Sequence, residues 1–156
     1  MKSMKVYKPA IVKKDCKIGD VIIWYFCNIY NGTEIGDGSQ VGAQTEISGA
    51  IIGKNVKIGN KCFIPKGVTI EDNVFIGPGV FFTHSFPPAT PEDWKPVLIR
   101  EGAMLGASVT IKEGVTVGRN AKVGCGAVVT KDIPDNETWA GVPAKKVERK
   151  ENTWSE

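Results

Sequence analysis

The sequence predicts an all-β protein in which short parallel strands wind around a three-sided prism. Three observations predict it: an aliphatic residue recurs at every sixth position over most of the chain, Gly or Asn often recurs three positions after it, and 18 of the 156 residues are Gly. A period of six fits neither a 3.6-residue helix nor an alternating hairpin strand. It fits a short strand plus a tight turn, so that three units close one triangular coil. Stacked coils would place parallel strands about 4.8 Å apart.

The repeat is visible from Ile29, where units read IYNGTE, IGDGSQ and VGAQTE, and from Ile52, with IGKNVK, IGNKCF, IPKGVT, IEDNVF and IGPGVF. Positions one and five are aliphatic, small or β-branched, with Phe82 the aromatic exception at position one, and we expect both positions to face a shared core. Position four must tolerate positive φ, as Gly and Asn do. The residues predicted at such bends are Gly38, Asn55, Gly67, Asn73, Gly79, Gly102, Gly114, Asn120 and Gly126. The frame slips by one residue at 24–28 and at 47–51, where we expect irregular corners.

One longer interruption separates Phe82 from Ile99, the next residue at position one. The insert contains four prolines, which prevent a continuous strand ladder: Pro87, Pro88, Pro91 and Pro96. It therefore predicts a loop outside the prism. Long ordered loops are often functional, although a surface decoration is the other interpretation.

From Ile99 the repeat continues as IREGAM, LGASVT, IKEGVT, VGRNAK and VGCGAV, and it decays after Ile133. We expect a single domain over 1–156, with coils over about 12–134, the inserted loop at about 84–98 and a C-terminal tail over 135–156. Within the tail, AKKVERKE is a candidate short helix, and the last residues are candidates for fraying.

Composition excludes several classes of protein. Lys and Arg number 20 against 17 Asp and Glu, so the net charge of +3 is too balanced for an electrostatic nucleic-acid binder. The longest uncharged apolar run, 21–27, is far shorter than the roughly 20 residues of a membrane span. The N-terminus lacks the apolar stretch of a signal peptide. We expect a cytoplasmic protein with no membrane span.

Cysteine and histidine content limits the chemistry. Cys16, Cys27, Cys62 and Cys125 form no C-x-x-C pair and no zinc spacing, so reduced thiols are expected, with Cys16 and Cys62 as core residues. A single histidine, His84, excludes a metal site built from several histidines of one chain, and no metal is expected. His84 lies at the edge of the insert, and imidazole titrates near neutral pH, as a general base requires. A solvated loop histidine is the alternative interpretation.

These hexads resemble those of the left-handed parallel β-helix acyltransferases, the hexapeptide-repeat family. LGASVTIKEGVTVGRNAKVGCGAVVTKDIPDNETWAGVPAKKV is similar to the acetyl-CoA-binding end of sugar acetyltransferases. IIWYFCNIYNGTEIG and VTIEDNVFIGPGVFFTH are similar to nucleotide-sugar N-acetyltransferases, which acetylate 3-amino-sugars linked to UDP or dTDP for surface polysaccharide. The left hand follows from the resemblance alone, because the general rule for parallel crossovers predicts a right hand. The resemblance also implies acetyl-CoA as cosubstrate, no metal, and a homotrimer with each active site between two subunits.

The resemblance assigns candidate residues for the cosubstrate. Ala107 and Cys125 fall where backbone groups meet the pantetheine arm. Thr130, Lys131 and Lys145 fall where the nucleotide end of coenzyme A is held, and lysines suit phosphates.

The role of His84 divides the functional hypotheses. In sugar O-acetyltransferases the matching histidine is the base, whereas the N-acetyltransferases usually read FTN where this chain reads FTH, and Asn-Pro-Arg where it has Phe86, Pro87 and Pro88. The leading hypothesis is acetyl transfer to the amino group of a nucleotide-linked amino-sugar, with His84 either the base or an orienting group. The alternatives are a galactoside- or maltose-type O-acetyltransferase using His84 as base, and a non-catalytic structural β-helix.

Several aromatic and charged residues have weaker assignments. Phe63 and Phe81 occupy position six one coil apart, so they are predicted to stack on one outer face, which favours a subunit interface. Trp24, Lys66 and Glu34 either hold the acceptor or are ordinary surface and corner residues.

Overall fold

The computed structural model describes residues 3–30, 32–84, 90 and 93–148, and these form short strands in three sheets. Sheet A contains β1 (Lys5–Val6), β4 (Ile22–Ile23), β7 (Gln40–Val41), β10 (Lys57–Ile58), β13 (Phe75–Ile76), β16 (Met104–Leu105), β19 (Lys122–Val123), β21 (Thr138–Ala140) and β22 (Lys145–Lys146). Sheet B contains β2 (Ile11–Val12), β5 (Asn28–Tyr30), β8 (Glu46–Ser48), β11 (Phe63–Ile64), β14 (Phe81–Phe82), β17 (Thr110–Ile111) and β20 (Val128–Val129). Sheet C contains β3 (Lys17–Ile18), β6 (Glu34–Ile35), β9 (Ile51–Ile52), β12 (Val68–Ile70), β15 (Val97–Ile99) and β18 (Thr116–Val117).

The chain visits the sheets in the order A, B, C and then returns to A, so each circuit is one coil of a parallel β-helix. We number the coils from the N-terminus; coil 5, for example, contains β13, β14 and β15. The AB corner joins sheet A to sheet B, the BC corner joins sheet B to sheet C, and the CA corner closes the coil. The predicted all-β parallel β-helix is confirmed. No helix in the described part of the chain is long and apolar enough to cross a membrane.

The core lies inside the prism and consists mainly of the residues predicted at positions one and five. Side chains at position one, such as Ile58, Ile76 and Leu105, are buried, as are those at position five, such as Val74 and Val80. Because a strand of two residues buries only one side chain, each coil contributes a few residues to one continuous apolar column. The alternation of buried and exposed residues along the sequence therefore sets the shape of the prism.

The corners confirm the predicted bends. All nine residues predicted to bend the chain have positive φ, including Asn55 (55°), Asn73 (59°) and Asn120 (53°). The short corner predicted at 47–51 is present, since Ile47 and Ile52 both face the core only five residues apart. The slip predicted at 24–28 was wrong: Ile23 and Ile29 keep the six-residue spacing, and the short step separates Ile18 from Ile23. An aromatic residue, Phe26, takes positive φ (61°) at that regular corner.

The insert leaves the prism after β14, which ends at Phe82, and the chain rejoins sheet C at Val97, where β15 pairs with β12 and β18. Residues 85–89 and 91–92 of the predicted loop lie outside the described residues.

The C-terminal segment is a strand where a short helix was one prediction. Over its described part, Lys145–Lys146 forms β22, which pairs antiparallel with Trp139 and Ala140 of β21. The helix prediction was wrong there because the open end of sheet A offers hydrogen bonds: Val147 N–H donates to the Thr138 carbonyl at 2.7 Å. Residues 149–156 lie outside the described residues.

Acidification should weaken the pairing of β21 with β22. The Glu137 carboxylate accepts hydrogen bonds from Lys146 Nζ (2.7 Å) and Trp139 Nε1 (2.8 Å), and both donors, Lys146 above all, lower the pKa of Glu137. A lowered carboxyl pKa stabilises the folded end above the ordinary carboxyl pKa, and the effect is lost as the pH falls through the lowered value. The Trp139 indole N–H resonance should therefore shift on acidification, and in Glu137→Ala it should already be shifted at neutral pH. If the wild-type Trp139 resonance does not move as the pH falls through the range in which Glu137 is protonated, the predicted link between Glu137 and the C-terminal strands is contradicted.

Candidate active site

His84 stands at the BC corner of coil 5, two residues after β14 ends. Thr83 anchors the chain there, since its N–H donates to the Ile111 carbonyl (2.9 Å) and its Oγ1 accepts the N–H of Glu113 (3.2 Å). The imidazole is exposed, and its ring centroid lies 5.6 Å from that of Phe63 in an edge-on arrangement. The hydrogen bonds of Thr83 therefore fix the backbone beside His84, and the Phe63 ring restricts the orientation of the imidazole.

Trp94, returning from the insert, is the second ring against His84, with centroids 4.6 Å apart. Together with Lys66 and Lys95 these side chains line a cleft of about 10 Å³, enough for about one water molecule. Within one chain, the insert thus covers one side of the candidate base.

Ala107 and Cys125 lie one coil apart at the AB corner, in coils 6 and 7. At the same corner of coil 3, the N–H of Ala43 donates to Asn60 Oδ1 of the next coil (2.8 Å). No such acceptor follows Ala107 or Cys125, and among the described residues neither N–H has a hydrogen-bond partner. Two backbone N–H groups without a partner among the described residues fit the amide carbonyls of a pantetheine arm.

Thr130 and Lys131 stand at the BC corner of coil 7, on the same edge as His84 and two coil rises, about 10 Å, further along. Both are exposed. Lys145 is an exposed residue of β22 at the open end of sheet A. Neither lysine forms an ion pair within the part of the chain that the structure describes. These ammonium groups are available to a phosphate.

Five of the six candidate residues fall into two groups that one chain does not bring together, and the sixth, Lys145, lies on sheet A. His84, Thr130 and Lys131 occupy the BC corner, whereas Ala107 and Cys125 occupy the AB corner. The width of sheet B separates these corners, which is about five residues of extended chain or roughly 16 Å.

Residues 49–84 and 96–131 match the bacterial transferase hexapeptide (six repeats) family. Over these two stretches the chain carries the repeats of the hexapeptide-repeat family. Its sequence is 40% identical over 87 residues to the galactoside O-acetyltransferase of Escherichia coli (strain K12), covering 51% of this chain and 43% of that protein. It is 28% identical over 132 residues to the bifunctional protein GlmU of Thermosipho africanus (strain TCF52B), covering 85% of this chain and 27% of that protein.

A solved structure is similar as well. A hexapeptide-repeat acetyltransferase from Vibrio cholerae O1 biovar eltor, complexed with acetyl coenzyme A, superposes with a TM-score of 0.64 at 28% identity, over 76% of this chain and 70% of that one. This hexapeptide-repeat chain spans less than half the length of the two curated relatives above.

The cysteines of this hexapeptide-repeat chain are free thiols. Burial raises the pKa of the Cys27 and Cys62 thiols, which keeps them protonated and inert. Cys62 is a core residue as predicted, Cys16 is partly buried against the core, and Cys125 is exposed. Among the described residues, no group of three or more His, Cys, Asp or Glu side chains could hold a metal ion.

Sequence reasoning missed Trp94, which gave no signal because its contact with His84 depends on the path of the insert. Of the three residues with open assignments, Lys66 lines the His84 cleft and Trp24 lines a separate cavity on sheet A. Glu34 accepts a hydrogen bond from Lys17 Nζ (2.6 Å) on sheet C. The predicted stacking of Phe63 on Phe81 is confirmed, with centroids 5.9 Å apart, and their place in an interface stays a prediction.

Proposed function

We propose that this chain is a cytoplasmic, acetyl-CoA-dependent acetyltransferase that acts, as a homotrimer, on the amino group of a nucleotide-linked amino-sugar for surface polysaccharide. The family assignment and the acetyltransferase relatives support the reaction class. The nucleotide-sugar acceptor is supported by the resemblance of 22–36 and 68–84 to such N-acetyltransferases.

The observation that carries the proposal is the division of the candidate residues between two corners. A cyclic trimer of parallel prisms can set the BC corner of one chain beside the AB corner of the next, since such an interface joins different surfaces of identical subunits. The trimer would then complete a site that each chain holds only in halves.

Each half has a distinct chemical task. On one chain, the N–H groups of Ala107 and Cys125 would hold the pantetheine arm in register, which converts the transfer into an effectively intramolecular step. On the neighbouring chain, His84 would take the proton that the acceptor nitrogen releases as it attacks the thioester carbonyl. The carbon–sulfur bond would then break, and the departing coenzyme A thiolate would take up that proton. Lys131 and Lys145, with Thr130, would hold the phosphates and the nucleotide end of the coenzyme.

A second candidate is O-acetyl transfer to a simple sugar. The 40% identity to a galactoside O-acetyltransferase favours it, together with a histidine in place of asparagine at position 84. A hydroxyl acceptor needs a base more than an unprotonated amine does, because an unprotonated amine is already nucleophilic.

Thiol release from acetyl-CoA tests these alternatives, with amino-sugar nucleotides compared against galactosides at equal concentration. We expect turnover with the amino-sugar nucleotides, and sedimentation at three times the chain mass of 16.9 kDa. Turnover with galactosides alone would favour the second candidate. Failure to bind acetyl-CoA in calorimetry would favour a structural β-helix, and a monomer would refute the shared site.

A further inference from the structure

A slot of about 400 Å³ opens on the outer face of sheet A, along the AB corner of coils 2–5. Its volume is in the range of small-molecule sites. The slot is lined mainly by Trp24, Gln40, Gly42, Lys57, Asn60 and Phe75. Trp24 and Phe75 stand at opposite ends, three coil rises or about 14 Å apart.

The floor of the slot is bare backbone because its central corner positions are glycine. A Cβ built on Gly42 would lie 2.5 Å from the Gly59 carbonyl carbon, and one on Gly59 would lie 2.5 Å from Pro78 N. The close stacking of coils thus enforces glycine at both positions. A flat ligand can approach the backbone there without meeting a side chain.

Trp24 is a fixed aromatic surface at the N-terminal end of the slot. Its ring stacks on Tyr7 with centroids 4.8 Å apart and planes inclined by 6°, while the residue as a whole stays 38% exposed. An aromatic ring already held in place loses little conformational freedom when a second flat ring joins it. Stacking on such a ring is the means by which proteins hold nucleotide bases.

Polar groups in the slot have free hydrogen-bonding capacity. Asn60 Oδ1 accepts the N–H of Ala43, which leaves the Asn60 Nδ2 group without a partner among the described residues. Lys57 Nζ likewise forms no ion pair in the described chain. In contrast, the cavity of similar size at the C-terminal end contains Lys146, which is already paired with Glu137. An unpaired ammonium beside an aromatic surface suits a phosphate attached to a base.

Along the prism axis, the slot lies on the N-terminal side of the residues proposed to bind the pantetheine arm, and it reaches the coil of His84. The slot runs from coil 2 to coil 5, His84 is in coil 5, and Ala107 and Cys125 follow in coils 6 and 7 of the same AB corner. A rotation axis parallel to the prism keeps every residue at its height, so the partner subunit's His84 would lie level with Phe75. The cosubstrate would approach the base from the C-terminal side, and the slot lies on the other side.

We propose that the slot binds the nucleoside diphosphate of the acceptor, with its base stacked on Trp24 and a phosphate near Lys57. This placement rests on the proposed function, because the order of slot, His84 and pantetheine positions defines the acceptor side. It would leave the amino-sugar directed toward the coil of His84.

Binding of UDP, dTDP and GDP to the full chain saturated with coenzyme A tests the proposal, by calorimetry. Saturation prevents these nucleotides from occupying the nucleotide end of the coenzyme site. We expect at least one of them to bind, Trp24→Ala to weaken that binding by about tenfold or more, and Trp24→Phe to retain most of it. Lys57→Ala should weaken binding severalfold and reduce its salt dependence. Lys54→Ala, which changes an exposed lysine three residues earlier at the CA corner of coil 3, should not.

Coenzyme A affinity of each variant separates the two proposals. Unchanged coenzyme binding with lost nucleotide binding supports the slot. The slot proposal is overturned if wild type binds no nucleotide. It is also overturned if wild type, Trp24→Phe, Trp24→Ala and Lys57→Ala all bind the nucleotide equally well. Either result leaves the acetyltransferase proposal intact. If wild type binds no coenzyme A, the proposed function fails, and nucleotide binding without coenzyme still decides the slot. Should Trp24→Ala not fold, the comparison of Lys57→Ala with Lys54→Ala decides whether the slot binds the nucleotide.

Discussion

Replacing His84 with Ala is expected to lower turnover by about 100-fold or more while coenzyme A still binds. General base catalysis contributes roughly 10²–10⁴-fold, and alanine removes the proton acceptor without creating another. The imidazole is exposed, so its loss should cost little folding stability. The measurement is steady-state thiol release at saturating substrates, beside calorimetric titration with coenzyme A.

His84→Asn is the matched variant, because it keeps a hydrogen-bonding group of similar size and removes the base. If the imidazole only orients an amine acceptor, His84→Asn should retain most of the activity. If the imidazole is the base, both variants should lose activity, and turnover should recover as rising pH deprotonates the amine. Equal turnover of His84→Ala and wild type, with coenzyme binding intact, would remove His84 from the mechanism.

Replacing Phe82 with Ala should lower the free energy of unfolding by about 3–5 kcal/mol. Phe82 is 1% exposed and is the large aromatic residue among the aliphatic position-one side chains of the core. Neighbouring coils hold their positions by hydrogen bonds, so the cavity can close only in part. Chemical denaturation should show a lower midpoint, with the slope checked for loss of two-state behaviour in a repeat protein.

Phe81→Ala is the control, because Phe81 is the preceding residue of the same strand and is 51% exposed. It removes mainly the ring contact with Phe63, worth about 1 kcal/mol. Both variants should be measured at one protein concentration. If Phe81→Ala and Phe82→Ala lose equal free energy of unfolding, the buried Phe82 side chain does not stabilise the core as expected.

The candidate site was predictable where it depends on a single corner. His84 was found from its position at the edge of the insert, whereas Lys131 and Lys145 were assigned by the resemblance to sugar acetyltransferases. The contact of Trp94 with His84 was not predictable, because a proline-rich insert can return over the prism in many ways. Sequence analysis offered Trp24 as a candidate for holding the acceptor but missed the slot beside it. The other walls, Lys57 and Phe75, come from different coils and carry no motif that marks a site.

The fold, unlike the slot, was predictable over most of the chain because the repeat unit marks its own positions. A repeat unit whose buried and bending positions are fixed by side-chain size and by φ preference leaves one way to stack. The prediction failed at the C-terminal segment, where Lys145 and Lys146 are helix-forming residues but meet an unpaired sheet edge. Tertiary hydrogen bonds outweigh a weak local propensity there.

By itself, the order of residues determined that the chain coils into a prism, which side chains fill it and where each corner bends. Those features are local, since each needs only a residue and its neighbours within six positions. The tertiary structure alone decided that the His84 edge and the Ala107–Cys125 edge lie on opposite margins of sheet B, and that Tyr7, Trp24, Lys57 and Phe75 surround one slot. Such proximity depends on the number of residues in every intervening coil, and a shift of one residue would have turned these side chains to other faces.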